Sequence, residues 1–186
     1  MTLLRSVYPP SVKNTSSTGV ASRLLVSASL VIVSGFAVSG CSLLFPASTP
    51  QRDEAGDISV ADDNADVFEI TVGDCLSIGY DSAGEVSTVP VVPCDQPHED
   101  EVYYGYDLDH EEFPGEAAIE ADFGEVCGAE FERFIGIPSA DSQYSWWAFY
   151  PNEESWTKFG DREVLCVVSS VSTDETVTGT LAGIAQ

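Results

Sequence analysis

The residue pattern predicts an α+β domain: a mainly antiparallel sheet, one long amphipathic helix and two disulfides. Three observations predict it. Three β-prone runs precede one helical stripe and three more follow it. The stripe carries apolar residues at helical spacing over about twenty positions. Four cysteines follow what reads as an export signal, an even number suited to two bridges.

The export signal comes first in the chain. Residues 1–40 hold Arg5, Lys13 and Arg23 and no Asp or Glu. Leu24 to Val38 is an uncharged apolar run, short for a bilayer span and the right length for a signal-peptide core. It closes on Val38-Ser39-Gly40-Cys41, which resembles a bacterial lipobox. Residues 1–40 are therefore expected to be a lipoprotein signal peptide, with Cys41 the lipidated residue. The competing reading is an uncleaved anchor. The preceding cations favour the cytoplasmic side in both readings, which puts the rest of the chain on the outer face of the membrane.

Residues 41–65 are rich in Ser, Pro, small and acidic residues without a persistent period, and read as a disordered tether. Asp62, Asn64 and Asp66 have the opening spacing of a calcium loop. Val67 and Gly73 stand where that loop needs Gly and Glu, so calcium is not expected.

The domain is expected over residues 66–186. Strand candidates are Val67–Val72, Val86–Val92 (with Pro90 marking an edge or a break), Val102–Leu108, Tyr144–Tyr150, Glu163–Val171 and a weak Thr176–Ile184. Pro114-Gly115-Glu116 opens the helix. Ile119, Phe123, Cys127, Phe131, Phe134 and Ile135 form its apolar stripe, and Gly136 and Pro138 stop it.

Cys75, Cys94, Cys127 and Cys166 allow three pairings. The favoured one is Cys75–Cys94, joining neighbouring strand ends, with Cys127–Cys166, tying the helix stripe to a late strand. Each bridge would constrain the unfolded chain by roughly 3–4 kcal/mol. A zinc-thiolate site is disfavoured, because no pair has C-x-x-C spacing and the compartment is oxidising.

Charge excludes whole classes of partner. The chain has 31 acidic and 7 basic residues, for a formal charge of −24. Beyond residue 40, the 31 acids face only Arg52, Arg133, Lys158 and Arg162. A nucleic-acid binder working through a basic surface is ruled out.

Gly73-Asp74-Cys75, Val91-Val92-Pro93-Cys94-Asp95-Gln96-Pro97-His98, Glu101-Val102, Cys127, Phe131, Gly136, Pro151, Trp156, Gly160-Asp161-Arg162, Cys166 and Gly179-Thr180-Leu181-Ala182-Gly183 follow in order. This set resembles the septum-formation-type domain of exported and membrane-anchored actinobacterial proteins, over about residues 66–184. The resemblance implies an extracytoplasmic domain associated with septation, and it lends no catalytic residues.

Candidate sites are few. His98 with Glu101 and Asp95 could hold a metal or act as an acid–base pair; the favoured alternative is a turn after a disulfide, with His98 bracing the next strand. Arg162 is expected in an ion pair with Asp161, Glu101 or another carboxylate, and could otherwise receive an anionic ligand group. On a strand, Tyr144, Trp146, Ala148 and Tyr150 face one way, while Ser145, Trp147 and Phe149 face the other. A small one-helix sheet cannot easily bury both tryptophans, so one of Trp146 and Trp147 is expected as a binding anchor. Only two histidines exist and no serine sits in an elbow motif, so neither catalysis, a metal nor a cofactor is expected. The expected function is a lipid-anchored, non-enzymatic interaction module of the cell envelope or division site, with an envelope protein or glycan as partner.

Overall fold

The structure, a computed structural model, describes residues 47–78, 84–172 and 175–185. The expected signal peptide, Cys41 and the first residues of the expected tether lie outside the described residues. Among the described residues, strands β1 (Asp62–Asp66), β2 (Cys75–Leu76), β3 (Thr88–Val92) and β4 (Asp100–Asp107) precede helix α1 (Glu116–Ile135). Strand β5 (Tyr144–Phe149), helix α2 (Glu153–Phe159) and strand β6 (Glu163–Ser170) follow it. The six strands form one antiparallel sheet in the order β1-β3-β2-β4-β6-β5. The α+β expectation is met, and both disulfides form as expected, with Cα–Cα distances of 5.3 Å for Cys75–Cys94 and 5.6 Å for Cys127–Cys166.

Helix α1 forms where the stripe places it. Ile119, Cys127, Phe131 and Ile135 are buried, and the Cys127–Cys166 bridge ties their face to β6 in the sheet. The Tyr103 hydroxyl donates to the Cys127 carbonyl at 2.7 Å. Gly128 has a packing role: a Cβ there would lie 3.4 Å from the Trp146 ring. The helix therefore gives up about 1 kcal/mol of propensity at this position and gains close approach to β5.

The tether expectation fails for the described part of 41–65. Ser48 bridges Ala65 in parallel, and Arg52 bridges Ile58. Ile58 and Ala65 are buried. Strand β1 pairs with β3 although its sequence is Asp-Asp-Asn-Ala-Asp, which has poor strand propensity. Tertiary pairing with Val89 and Val91 overrides it.

The expected strand at Val67–Val72 is instead a 3₁₀ turn over Val67–Glu69. The Asp66 carboxylate accepts the Phe68 N–H at 3.0 Å, and this local bond turns the chain and ends β1. Pro90 lies inside β3, with neighbours on both sides, rather than on an edge. Its carbonyl accepts the Ser77 N–H just beyond the end of β2, so its missing donor falls where that strand has already stopped. On the opposite side, the register of β1 shifts between Asp62 and Ala65.

The weak last strand, Thr176–Ile184, is a strap rather than a strand. It makes one bridge, Val177 to His98. Gly179, at φ 82°, then turns the chain out of extended geometry. The strap is held by Gly179 N–H to Cys94 O and by Gly183 N–H to Phe134 O. Helix α2 was not expected. Asn152 and Ser155 form a capping box at its start, and Gly160 ends it.

Candidate binding site

The residues singled out in the sequence fall into separate places. His98 is fully buried, its backbone pairing with Val177 in both directions. Its Nδ1 lies 2.8 Å from the Gln96 carbonyl, which assigns the ring proton to Nδ1. Its buried Nε2 has no hydrogen-bond partner. Glu101 is buried, and its carboxylate accepts the Thr180 hydroxyl and the Leu181 N–H, both at 2.7 Å. Strand pairing sets Glu101 opposite Cys75. Donor atoms of Cys75, His98 and Glu101 lie within 4.8 Å of one another. Asp95 is exposed and lies outside this group.

Arg162 does not make the expected ion pair. Its guanidinium carbon sits 3.5 Å over the Trp156 ring, and its N–H groups donate to the carbonyls of Trp156 and Asp161. Trp156 is buried and offers a flat ring on which the guanidinium stacks, while its charge still acts on Asp161 without a direct ion pair. The guanidinium is thereby committed to the protein's own ring and carbonyls.

Both tryptophans of β5 are half-buried. Trp146 lies on the helix face against Gly128 and Phe123. Trp147 is on the other face, where its Nε1–H donates to Ser169 Oγ at 2.7 Å and its ring meets Phe149 at 4.7 Å.

Phe149 opens onto a cleft that the sequence did not reveal. Val67, Phe68, Phe149, Tyr150, Asp161, Glu163 and Leu165 line a shallow space of about 310 Å³, including its open mouth. Phe68 meets Phe159 edge-on at 6.2 Å, and the two are 43% and 48% exposed, large apolar side chains left in water. Trp147, Phe149, the cleft, Phe68 and Phe159 thus form one aromatic run.

The same cleft is lined by two carboxylates, Asp161 and Glu163. Asp107 stands directly opposite Glu163 across β4 and β6, a like-charge pairing that costs stability. Asp161 is held above the usual carboxylate range, chiefly by burial. Glu163 is raised by desolvation first, then by the charges of Asp107 and Asp161. Asp161 accepts the Glu163 N–H at 3.2 Å. The Asp107 and Glu163 carboxylates have no hydrogen-bond donor among the described residues. Arg52 pairs with Asp74, Arg133 with Glu130 and Lys158 with Glu154; Arg162 stacks on Trp156, and its charge partly offsets that of Asp161. The opposition of Asp107 and Glu163 was the signal available in the sequence, and reading it required the register of β4 on β6.

The fold is a disulfide-braced α+β domain with one helix on an antiparallel sheet. A family model described as septum formation matches residues 38–166, most of the chain, and the chain belongs to that family. The family gives it a cell-division or envelope-related role. No curated protein and no solved structure matches it.

Proposed function

We propose that the chain is a non-enzymatic binding module, anchored through a lipid on Cys41 at the outer face of the cell membrane and acting in the envelope or at the septum. The observation that carries the binding role is the cleft, where exposed rings adjoin Asp161 and Glu163, the latter without a hydrogen-bond donor among the described residues. Such a site suits a partner segment with a cationic side chain. The ammonium or guanidinium meets Asp161 and Glu163, and its aliphatic stem lies along Phe68, Phe149 and Tyr150. Trp147, continuous with the cleft, extends the contact, and Trp146 belongs to the packing under α1.

Titrating the chain with a Lys/Arg-rich peptide and its Glu-substituted counterpart tests this. Selective binding of the basic peptide is expected, weakened about 30-fold by Phe159→Ala, the size of one interface anchor. Equal binding of both peptides, or an unaffected Phe159→Ala variant, defeats the reading. Rings beside carboxylates also suit a glycan, so retention on envelope polysaccharide with no peptide binding would select that alternative. For the anchor, Cys41→Ala is expected to release the protein from membranes or leave it as unprocessed precursor. A mature membrane-bound chain with no lipid mass on its N-terminal peptide overturns that part.

A further inference from the structure

Fully buried polar atoms almost always find a partner, so an orphaned one asks for a reason. His98 Nε2 is such an atom. The ring is fully buried, and its Nδ1 is turned to the Gln96 carbonyl. Anchoring one ring nitrogen on a carbonyl is how a metal-binding histidine is held, because it fixes the tautomer and aims the other lone pair. Close to the ring lie a Glu101 carboxylate oxygen and Cys75 Sγ, these two atoms and one ring nitrogen all within 4.8 Å of one another. Cys75 and Glu101 are cross-strand neighbours on β2 and β4, so the spacing is set by the sheet. The fourth potential donor is Cys94 Sγ, at present bonded to Cys75.

We propose that opening the Cys75–Cys94 bridge converts this cluster into a site for a thiophilic divalent cation such as Zn²⁺. Its ligands are Cys75 Sγ, Cys94 Sγ, His98 Nε2 and a Glu101 oxygen. Two thiolates, an imidazole and a carboxylate are a tetrahedral donor set that this ion favours. The lack of C-x-x-C spacing does not count against it, because strand pairing gathers residues that are distant in sequence.

The redox step needs a dithiol reductant. One of its thiolates attacks Cys94 Sγ, the half-buried partner; the S–S bond breaks and Cys75 leaves as a thiolate. The reductant's second thiolate then attacks the mixed disulfide, releases Cys94 as a thiolate and closes the reductant's own disulfide. Two electrons pass to the chain, and any protons the two thiols acquire leave again when the metal binds. Disulfide and metal are therefore alternative clasps for the same place, each holding β2 to the segment that carries the C-terminal strap.

The test is Co²⁺ titration of the full chain after reduction by a phosphine under anaerobic conditions, read by absorption. One Co²⁺ per chain is expected, with thiolate-to-cobalt charge-transfer bands and intense tetrahedral ligand-field bands. The oxidised chain should show neither. His98→Gln should weaken binding by about 100-fold, at the upper end of effects seen even for outer-shell partners. A Cys127→Ala/Cys166→Ala variant should keep the spectrum, which separates this site from the other freed thiols. If reduction alone unfolds the chain, Co²⁺ should restore its circular dichroism. A reduced chain that neither binds Co²⁺ nor regains its fold with it, or a His98→Gln variant that binds as the parent does, overturns the proposal.

Discussion

Two sets of carboxylates in this domain meet opposite fates. Asp74, Asp100 and Glu101 are buried, and each accepts from at least two donors. Asp74 takes both terminal nitrogens of the Arg52 guanidinium, at 2.7 and 2.8 Å, and the Thr71 N–H. Asp100 takes the Ser169 hydroxyl and the Ile78 N–H. Glu101 takes Thr180 and Leu181. Asp161 and Glu163 line the cleft, with Asp107 paired opposite Glu163; Asp107 and Glu163 accept from no donor among the described residues, while Asp161 accepts from Ser155 and the Glu163 N–H. The first set spends its lone pairs holding distant parts of the chain together. The second includes Asp107 and Glu163, whose lone pairs meet no donor among the described residues. Acidity as a sequence property is one quantity; in the fold it separates into internal fasteners and an outward-facing charge.

Glu101→Ala should break the first set most severely. It strands the buried Leu181 N–H and frees the strap, and is expected to cost about 3 kcal/mol in urea unfolding, with faster amide exchange at Leu181. Unchanged exchange at Leu181 would mean that the strap is held by other contacts. Arg52→Ala comes next. It leaves Asp74 buried with only its Thr71 donors, and about 2 kcal/mol should be lost, less than for a fully buried pair because Arg52 is part-exposed. A truly disordered tether would show no effect at all.

The second set should respond in the opposite direction. Glu163→Gln is expected to stabilise the chain by roughly 0.3 kcal/mol at neutral pH, kept small by solvent screening. The sign follows from the raised position of Glu163. The folded state holds its proton more tightly than the unfolded state, so the penalty is full above the folded pKa and fades as pH falls below the unfolded one. The difference between variant and parent should therefore vanish in acid while peptide binding at neutral pH weakens. A variant that is destabilised at neutral pH would move Glu163 into the first set.

How much of this was legible depended on how local its cause is. Helix α1, strands β4 to β6 and both bridges follow from short-range periodicity and from an even number of cysteines. Strand β1 did not, because Asp62–Asp66 has no strand propensity of its own and is held by valines some twenty-five residues away. Helix α2 was missed although its capping pair, Asn152 and Ser155, is visible in the sequence. Arg162 was read through charge, whereas the nearest suitable surface was the Trp156 ring. The cleft draws on residues between 67 and 165 and exists only once the sheet is assembled.

The clasp between Arg52 and Asp74 also has a bearing on distance. Among the described residues, Ser48 already pairs with Ala65. With a lipid on Cys41, six residues lead to the first described one, Ala47, and at full stretch they reach about 20 Å. Under the proposed lipidation the domain would ride close against the bilayer, and a partner would have to come down to the membrane surface.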